Sequence, residues 1–221
     1  MILASNHTSY LDPLALAYLG LQRKRRTRFL AKEELFAKTG LGGILRGAHQ
    51  IPVARGTAGA AGSLVAAEDA LLAGECVAVF PEGTISTDLD PMPAKTGTAR
   101  LAAATGVTVL PVAIWGTHRV QTKGRRPTPH WGLPCVVVVG EAIVVDGEVA
   151  AATYAIDAAI AGVVERAREL YPVEPRPGDD AWWHRAPGLL ARRAFPRPPA
   201  RSVDAGAGDA VDATTTVGEP T

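Results

Sequence analysis

Short, nearly unbroken apolar runs recur along this chain, each closed by proline, glycine or polar residues and separated by longer alanine-rich stretches. The runs fall at residues 1–5, 29–31, 50–54, 76–80, 107–115 and 135–139. Runs of this length, rich in valine and isoleucine, read as strands, and those buried on both faces belong to sheets covered by helices. Between them, residues 58–73 and 98–105 carry a helical pattern, and a further helix is expected to start at Pro13 and run through Leu14, Leu16, Ala17 and Tyr18. Residues 150–170 form a closing amphipathic helix through Ile156, Ile160, Val163, Val164, Ala167 and Leu170, stopped by Pro172. This rhythm is that of an α/β domain. At 221 residues, with 47% hydrophobic and 20% charged, the chain is long enough to bury one sizeable core. Only 5% is aromatic, so packing rests on alanine, valine and leucine.

The first apolar run ends in Asn6-His7-Thr8-Ser9-Tyr10-Leu11-Asp12, with a histidine and an aspartate separated by a polar turn. On a continuous helix this spacing would turn the two side chains apart, so they meet only if the turn folds back. If they meet, the carboxylate can fix the imidazole tautomer and stabilise the imidazolium formed when the ring takes a proton from an alcohol. A purely structural reading also fits: Asp12, directly before Pro13, is a good helix N-cap, a role worth ~1 kcal/mol without any catalysis.

A second segment, Pro81-Glu82-Gly83-Thr84-Ile85-Ser86, follows the run that ends at Phe80. In open α/β sheets ligands bind beyond the carboxyl ends of strands, where this loop would lie. Gly83 allows close backbone approach, and Glu82 and Thr84 offer hydrogen-bonding groups. An ordinary polar turn is the alternative.

Together these segments resemble the glycerolipid acyltransferase family, enzymes that acylate glycerol 3-phosphate and lysophosphatidic acid. Asn6, His7 and Asp12 match its Asn-His-x-x-x-x-Asp motif. Phe80, Pro81, Glu82, Gly83, Thr84 and Ser86 match its Phe-Pro-Glu-Gly-Thr-Arg-Ser motif. Residues 47–55, from Gly47 to Arg55, resemble its looser second motif, and residues 109–116, with Pro111, its apolar fourth. All four occur in the family's order, within about residues 1–145. The resemblance implies a single α/β domain over residues 1–171, with a mixed, mostly parallel sheet flanked by helices, like that of glycerol-3-phosphate acyltransferase.

It also implies a chemistry. His7 would be general base on a glycerol hydroxyl that attacks the thioester of acyl-CoA or acyl carrier protein, the co-substrate, with no cofactor and no protein nucleophile. Asp12 would orient His7. Glu82, Gly83 and Thr84 would position substrate, and Arg55 would neutralise phosphate. The expected acceptor is a lysophospholipid, most simply lysophosphatidate going to phosphatidate. Where the family has arginine after the threonine of its third motif this chain has Ile85, so phosphate recognition must lean on other groups. Lys95, in a glycine-containing loop just before a helix, is one candidate; a solvated helix start is the other reading.

Other chemistries lack their signatures. The chain has no Gly-x-Ser-x-Gly elbow around Ser63 or Ser86, no phosphate loop of the nucleotide-hydrolase type, and no dinucleotide glycine spacing. A net charge of +1 argues against nucleic acid as a partner. His49, His118, His130 and His184 show no metal-ligand spacing, and of these His118 is the one to check for proximity to the site. Cys76 and Cys135 both fall in apolar runs and read as buried free thiols in a reducing compartment.

Family members usually carry tens of residues upstream, including helices that contact the membrane, whereas Met1 here opens the first strand. A truncated start is therefore expected. The rival to an enzyme is a catalytically weak or non-catalytic lysophospholipid-binding remnant of the same fold. The basic run at residues 23–28 could face anionic lipid headgroups or form a solvated loop. No apolar run reaches the length of about 18 residues that spans a bilayer, so a peripheral place on the cytoplasmic face of the membrane is expected. Residues 172–195 form a Pro/Trp/Arg extension whose Trp182 and Trp183 suit a membrane interface or docking on the chain's own core. Residues 196–221 are expected to be disordered.

Overall fold

Each of the six apolar runs forms a strand. In the computed structural model, which describes residues 1–53, 59–128, 132–172 and 181–184, with side chains omitted at 59–61, the strands make one sheet. They are β1 Ile2–Ser5, β2 Thr27–Lys32, β3 Ile51–Val53, β4 Cys76–Val79, β5 Val109–Trp115 and β6 Val136–Val139. The order is β3-β2-β4-β1-β5-β6, with every pairing parallel except β5 with β6. The helices are α1 Asp12–Gln22, α2 Glu33–Phe36, α3 Leu41–Gly47, α4 Gly59–Leu72, α5 Gly97–Thr105 and α6 Val149–Leu170, with a 3-10 turn at Thr117–Arg119. The expected mixed, mostly parallel sheet with flanking helices is therefore the observed fold.

Strand alternation sorts the side chains into two cores. Ile2, Ala4, Val77, Val109, Ala113 and Trp115 face one side, where residues of α4, α5 and α6 cover them. Leu3, Cys76, Ala78, Val112 and Ile114 face the other, packed against Leu16 of α1. Burying each large aliphatic side chain contributes about 1.5–3 kcal/mol, so both faces stabilise the sheet.

Several local expectations change. α2, α3 and the 3-10 turn have no counterpart in the sequence reading, because helices this short show little periodicity and Gly40, Gly42, Gly43 and Gly47 punctuate the segment. Leu170 is more than a third exposed at the end of α6, while Arg168 of the same helix is buried. Its guanidinium binds the Leu89 carbonyl and the Asp90 carboxylate at 2.9 and 2.8 Å and lies 4.5 Å from the Trp115 ring centroid. Cys76 is buried as expected. Cys135, placed just before β6 at the sheet edge, is exposed.

Trp183 is buried in the core and Trp182 packs against it, so this part of the extension docks on the chain's own body. Trp183 meets Tyr171 edge-on at 5.5 Å, with the Arg119 guanidinium 4.0 Å from its ring centroid. Arg55, His130, most of the 172–195 extension and the whole 196–221 tail lie outside the described residues.

Candidate active site

The central strands β4, β1 and β5 are neighbours and run parallel, so the loops leaving their carboxyl ends meet at one edge of the sheet. β1 delivers Asn6 and His7, β4 delivers residues 80–86, and β5 delivers Gly116 and Thr117. Asn6 is wholly buried. Its side-chain amide donates to the Ile114 carbonyl at 3.0 Å, and its carbonyl oxygen accepts the Ile114 amide at 2.8 Å. The side chain thus extends the β1–β5 ladder one step beyond the strand and fixes where His7 emerges.

His7 and Asp12 meet. Nδ1 of His7 lies 3.0 Å from Oδ2 of Asp12, and the aspartate side chain is fully buried while the histidine is 16% exposed. Oδ2 also accepts the backbone amides of Thr8 and Ser9, both at 2.8 Å, and Oδ1 accepts the Thr117 hydroxyl at 2.6 Å. The turn of residues 6–11 is wrapped around this carboxylate. A buried carboxylate is tolerated only when it is hydrogen-bonded this fully.

The N-cap expectation for Asp12 fails for the same reason. The N-cap position is Leu11, without a side-chain cap, and Asp12 is the first helical residue, one before the expected start at Pro13. Both carboxylate oxygens are turned back toward the preceding turn and Thr117. Asp12 therefore serves the dyad and not the helix end.

The β4 loop holds His7 by its backbone. Oε1 of Glu82 accepts the His7 amide at 3.0 Å, and the Ser86 amide donates to the His7 carbonyl at 2.8 Å. Phe80 stacks on the imidazole, with centroids 4.0 Å apart and planes 17° from parallel. Ser86 is itself anchored through its hydroxyl to Asp88 and the Asp90 carbonyl, both at 2.7 Å. Glu82 is buried, and burial pushes its carboxyl up to about 8. Backbone hydrogen bonds from His7 and Met92 oppose that rise, and the nearby charges of Asp12 and Asp157 add to it.

Gly83 has φ +73°, and a Cβ there would lie 2.8 Å from Nζ of Lys95. The backbone conformation calls for glycine, and its missing side chain leaves room for the lysine laid across it. Lys95 returns to the loop through its own amide, which donates to the Pro81 carbonyl at 3.0 Å, and it precedes α5 by two residues. Thr84 is half-buried in the same loop. Ile85 is buried, so the side chain standing where the family has arginine packs inward.

The structure therefore brings together His7, Asp12, Glu82, Gly83, Thr84 and Lys95 of the expected set. Glu82 reaches the His7 backbone, a connection invisible in the motif itself. Thr117 was missed altogether. Its only signal was its place just past the glycine that ends the third central strand. His118, the histidine singled out for checking, turns away into the core against Trp115 and Trp182.

A family model described as Acyltransferase matches residues 1–115. The chain is 32% identical over 124 residues to the chloroplastic 1-acyl-sn-glycerol-3-phosphate acyltransferase BAT2 of Brassica napus, covering 56% of this chain and 35% of that protein. It is 31% identical over 138 residues to the chloroplastic 1-acyl-sn-glycerol-3-phosphate acyltransferase LPAT1 of Arabidopsis thaliana, covering 62% and 38%. The chain thus spans little more than a third of the length of these curated relatives. The crystal structure of the 1-acyl-sn-glycerophosphate acyltransferase PlsC from Thermotoga maritima superposes with a TM-score of 0.63 at 28% identity, over 78% of this chain and 68% of that one.

Proposed function

The chain belongs to the acyltransferase family, and on that premise we propose that it transfers a fatty acyl group from a thioester donor to a hydroxyl of a glycerol phosphate lipid. The donor is acyl-CoA or acyl carrier protein, and the acceptor lysophosphatidate, giving phosphatidate. The His7–Asp12 pair, a partly exposed imidazole on a buried carboxylate, carries the reading. With an Nδ1–H donated to Asp12, Nε2 is the ring nitrogen left to accept a proton.

In the proposed reaction, Nε2 takes the acceptor hydroxyl proton as its oxygen attacks the thioester carbonyl carbon. The new C–O bond forms a tetrahedral adduct, which collapses by breaking the C–S bond. The departing thiolate takes the proton from the imidazolium, so ester and free thiol leave and His7 returns neutral. Asp12 stabilises the transient positive charge and holds the ring at the angle the transfer needs. Phe80 stacked on the imidazole and Glu82 on its backbone support the same role, because a base that cannot rotate loses little orientation.

Lys95, on the rim by Gly83, supplies positive charge for the acceptor phosphate, together with Arg55. Thr84 lies in the same loop as Gly83. Among the described residues no helix is long and apolar enough to cross a membrane; peripheral action at the cytoplasmic membrane face is part of the same proposal.

The test is release of free thiol from acyl-CoA over a panel of glycerol phosphate acceptors. His7→Ala is expected to lower turnover by about 10²–10⁴-fold, the range for loss of a general base. Retention of native turnover by that variant would remove His7 as base.

A further inference from the structure

Helix α1 is apolar on both sides. Its inward face, Asp12, Leu16 and Gly20, is buried against the sheet and the dyad. Its outward face is equally apolar: Leu14 is 66% exposed, Tyr18 50% and Leu21 68%, and Tyr10, just before the helix, 53%. Spacings of four, four and three residues line these side chains along one ridge. After Asp12 the helix has no charged residue at all. A helix of this character is normally buried on every side, and exposed apolar ridges of this kind mark surfaces that meet another phase or partner.

What the ridge meets is indicated by its end. Backbone hydrogen bonds from Arg23, Lys24 and Arg25 to carbonyls of residues 19–21 close the helix in a tight turn. That turn presents Arg23, Lys24, Arg25 and Arg26, all exposed, directly beyond Leu21. Arg28 is already committed to Glu75 and to the His49 carbonyl, whereas these four project outward. Two tyrosines alternating with two leucines, followed by four cations, match an anionic lipid surface. The leucines would enter the acyl boundary, the tyrosines sit at headgroup level and the cations meet lipid phosphates.

We propose that the outer face of α1 and the basic turn at residues 23–26 form the surface by which this protein lies on an anionic bilayer. The ridge is about 16 Å long at 1.5 Å per residue. The basic turn marks one end and Tyr10, three residues after His7, the other. A bilayer lying along it reaches the rim of the dyad. A single-chain lipid could then pass from the membrane to His7 without crossing open water, a consequence that rests on the lipid-acceptor reading above. The surface itself does not.

The experiment is flotation of the full chain with vesicles of phosphatidylcholine alone and of an equal mixture with phosphatidylglycerol. Native protein is expected to float with the anionic vesicles, and less so as salt is raised. The combined substitution Leu14→Gln, Tyr18→Gln and Leu21→Gln should weaken that binding by about tenfold or more while the thermal melt is unchanged. Replacing the four cations by glutamine should abolish the preference for anionic vesicles and its salt dependence. Thiol release with a short-chain, water-soluble acceptor should be the same for the ridge variant and the native chain. Equal vesicle binding by native and ridge variant would overturn the proposal. So would a native dimer that the ridge variant abolishes while neither floats, since the face would then join two copies. A native chain that floats but transfers no acyl group upholds the surface and sinks the activity instead.

Discussion

Thr117 sits 105 residues from Asp12 in sequence and 2.6 Å from it in space, and its hydroxyl is the sole donor seen on Oδ1 among the described residues. Removing it leaves one oxygen of a buried carboxylate unsatisfied, so that only the contacts on Oδ2, from the Thr8 and Ser9 amides, still hold the carboxylate beside Nδ1. Thr117→Val is expected to lower kcat by about tenfold with little change in KM, and Thr117→Ser to restore it. Equal loss in both variants would mean that the methyl group, and not the hydroxyl, matters. Glu82 makes a second prediction. Its folded value of about 8 lies above the ordinary 4.5, so between the two the folded protein holds a proton that the unfolded chain has released. The stability this confers is full below about pH 4.5 and is lost as pH rises through about 8. Glu82→Gln keeps an oxygen for the His7 amide and removes the titration. Denaturant melts at pH 5, 6.5 and 8 should show the variant gaining on the native chain as pH rises; parallel profiles would rule this out.

At the scale of elements, α6 is a brace for the loop that follows β4. Asp157 accepts the Ala94 amide at 3.2 Å, and Arg168 binds Leu89 and Asp90, whose carbonyl in turn holds Ser86. The chain of contacts runs from α6 through residues 86–94 to the carbonyl of His7. Because Arg168 is almost wholly buried and Asp90 is not, the two ends of their ion pair are unequal. Asp90→Ala leaves the buried guanidinium with the Leu89 carbonyl and, 3.7 Å away, the Glu165 carboxylate, and is expected to cost about 2–3 kcal/mol. Arg168→Met removes the buried charge and fills its space, and should cost less. A thermal-melt series with the reverse order would show that the pair is not what holds the loop. Gly116 has a comparable part at the end of β5: with φ +110°, a Cβ there would lie 2.3 Å from the Pro134 carbonyl oxygen. Only glycine lets the chain turn there and present Thr117.

For the molecule as a whole, the two sheet faces are covered unequally. α4, α5 and α6 contribute to one core, and α1 is the helix that supplies the other. The better-covered side also takes in Trp183, which closes over Tyr171 and Arg119. Trp183→Ala is expected to cost about 3 kcal/mol, read as a lower melting temperature with thiol release unchanged below the transition. A melt equal to the native one would mean that the tryptophan merely rests on the surface. The thinly covered side leaves the outer face of α1 open, next to the edge where His7 emerges.

Much of this was legible locally. The six strands are written in runs of valine, isoleucine and alanine, and their ends in Pro81, Gly83 and Gly116, because backbone sterics and side-chain periodicity act over a few residues. The meeting of His7 with Asp12 was legible too, since a polar turn and Pro13 leave a short chain few ways to go. Short helices such as α2 and α3 were not, as four or seven residues carry too little periodicity. Tertiary structure alone decided which atoms surround the pair. That Oδ1 finds Thr117, that Glu82 turns to the His7 amide, that Arg168 is buried while Cys135 is exposed, and that one face of α1 stays open all depend on packing between elements distant in sequence. Hydrogen-bond partners and burial are set there by which strands lie side by side, and no pattern of neighbouring residues encodes that.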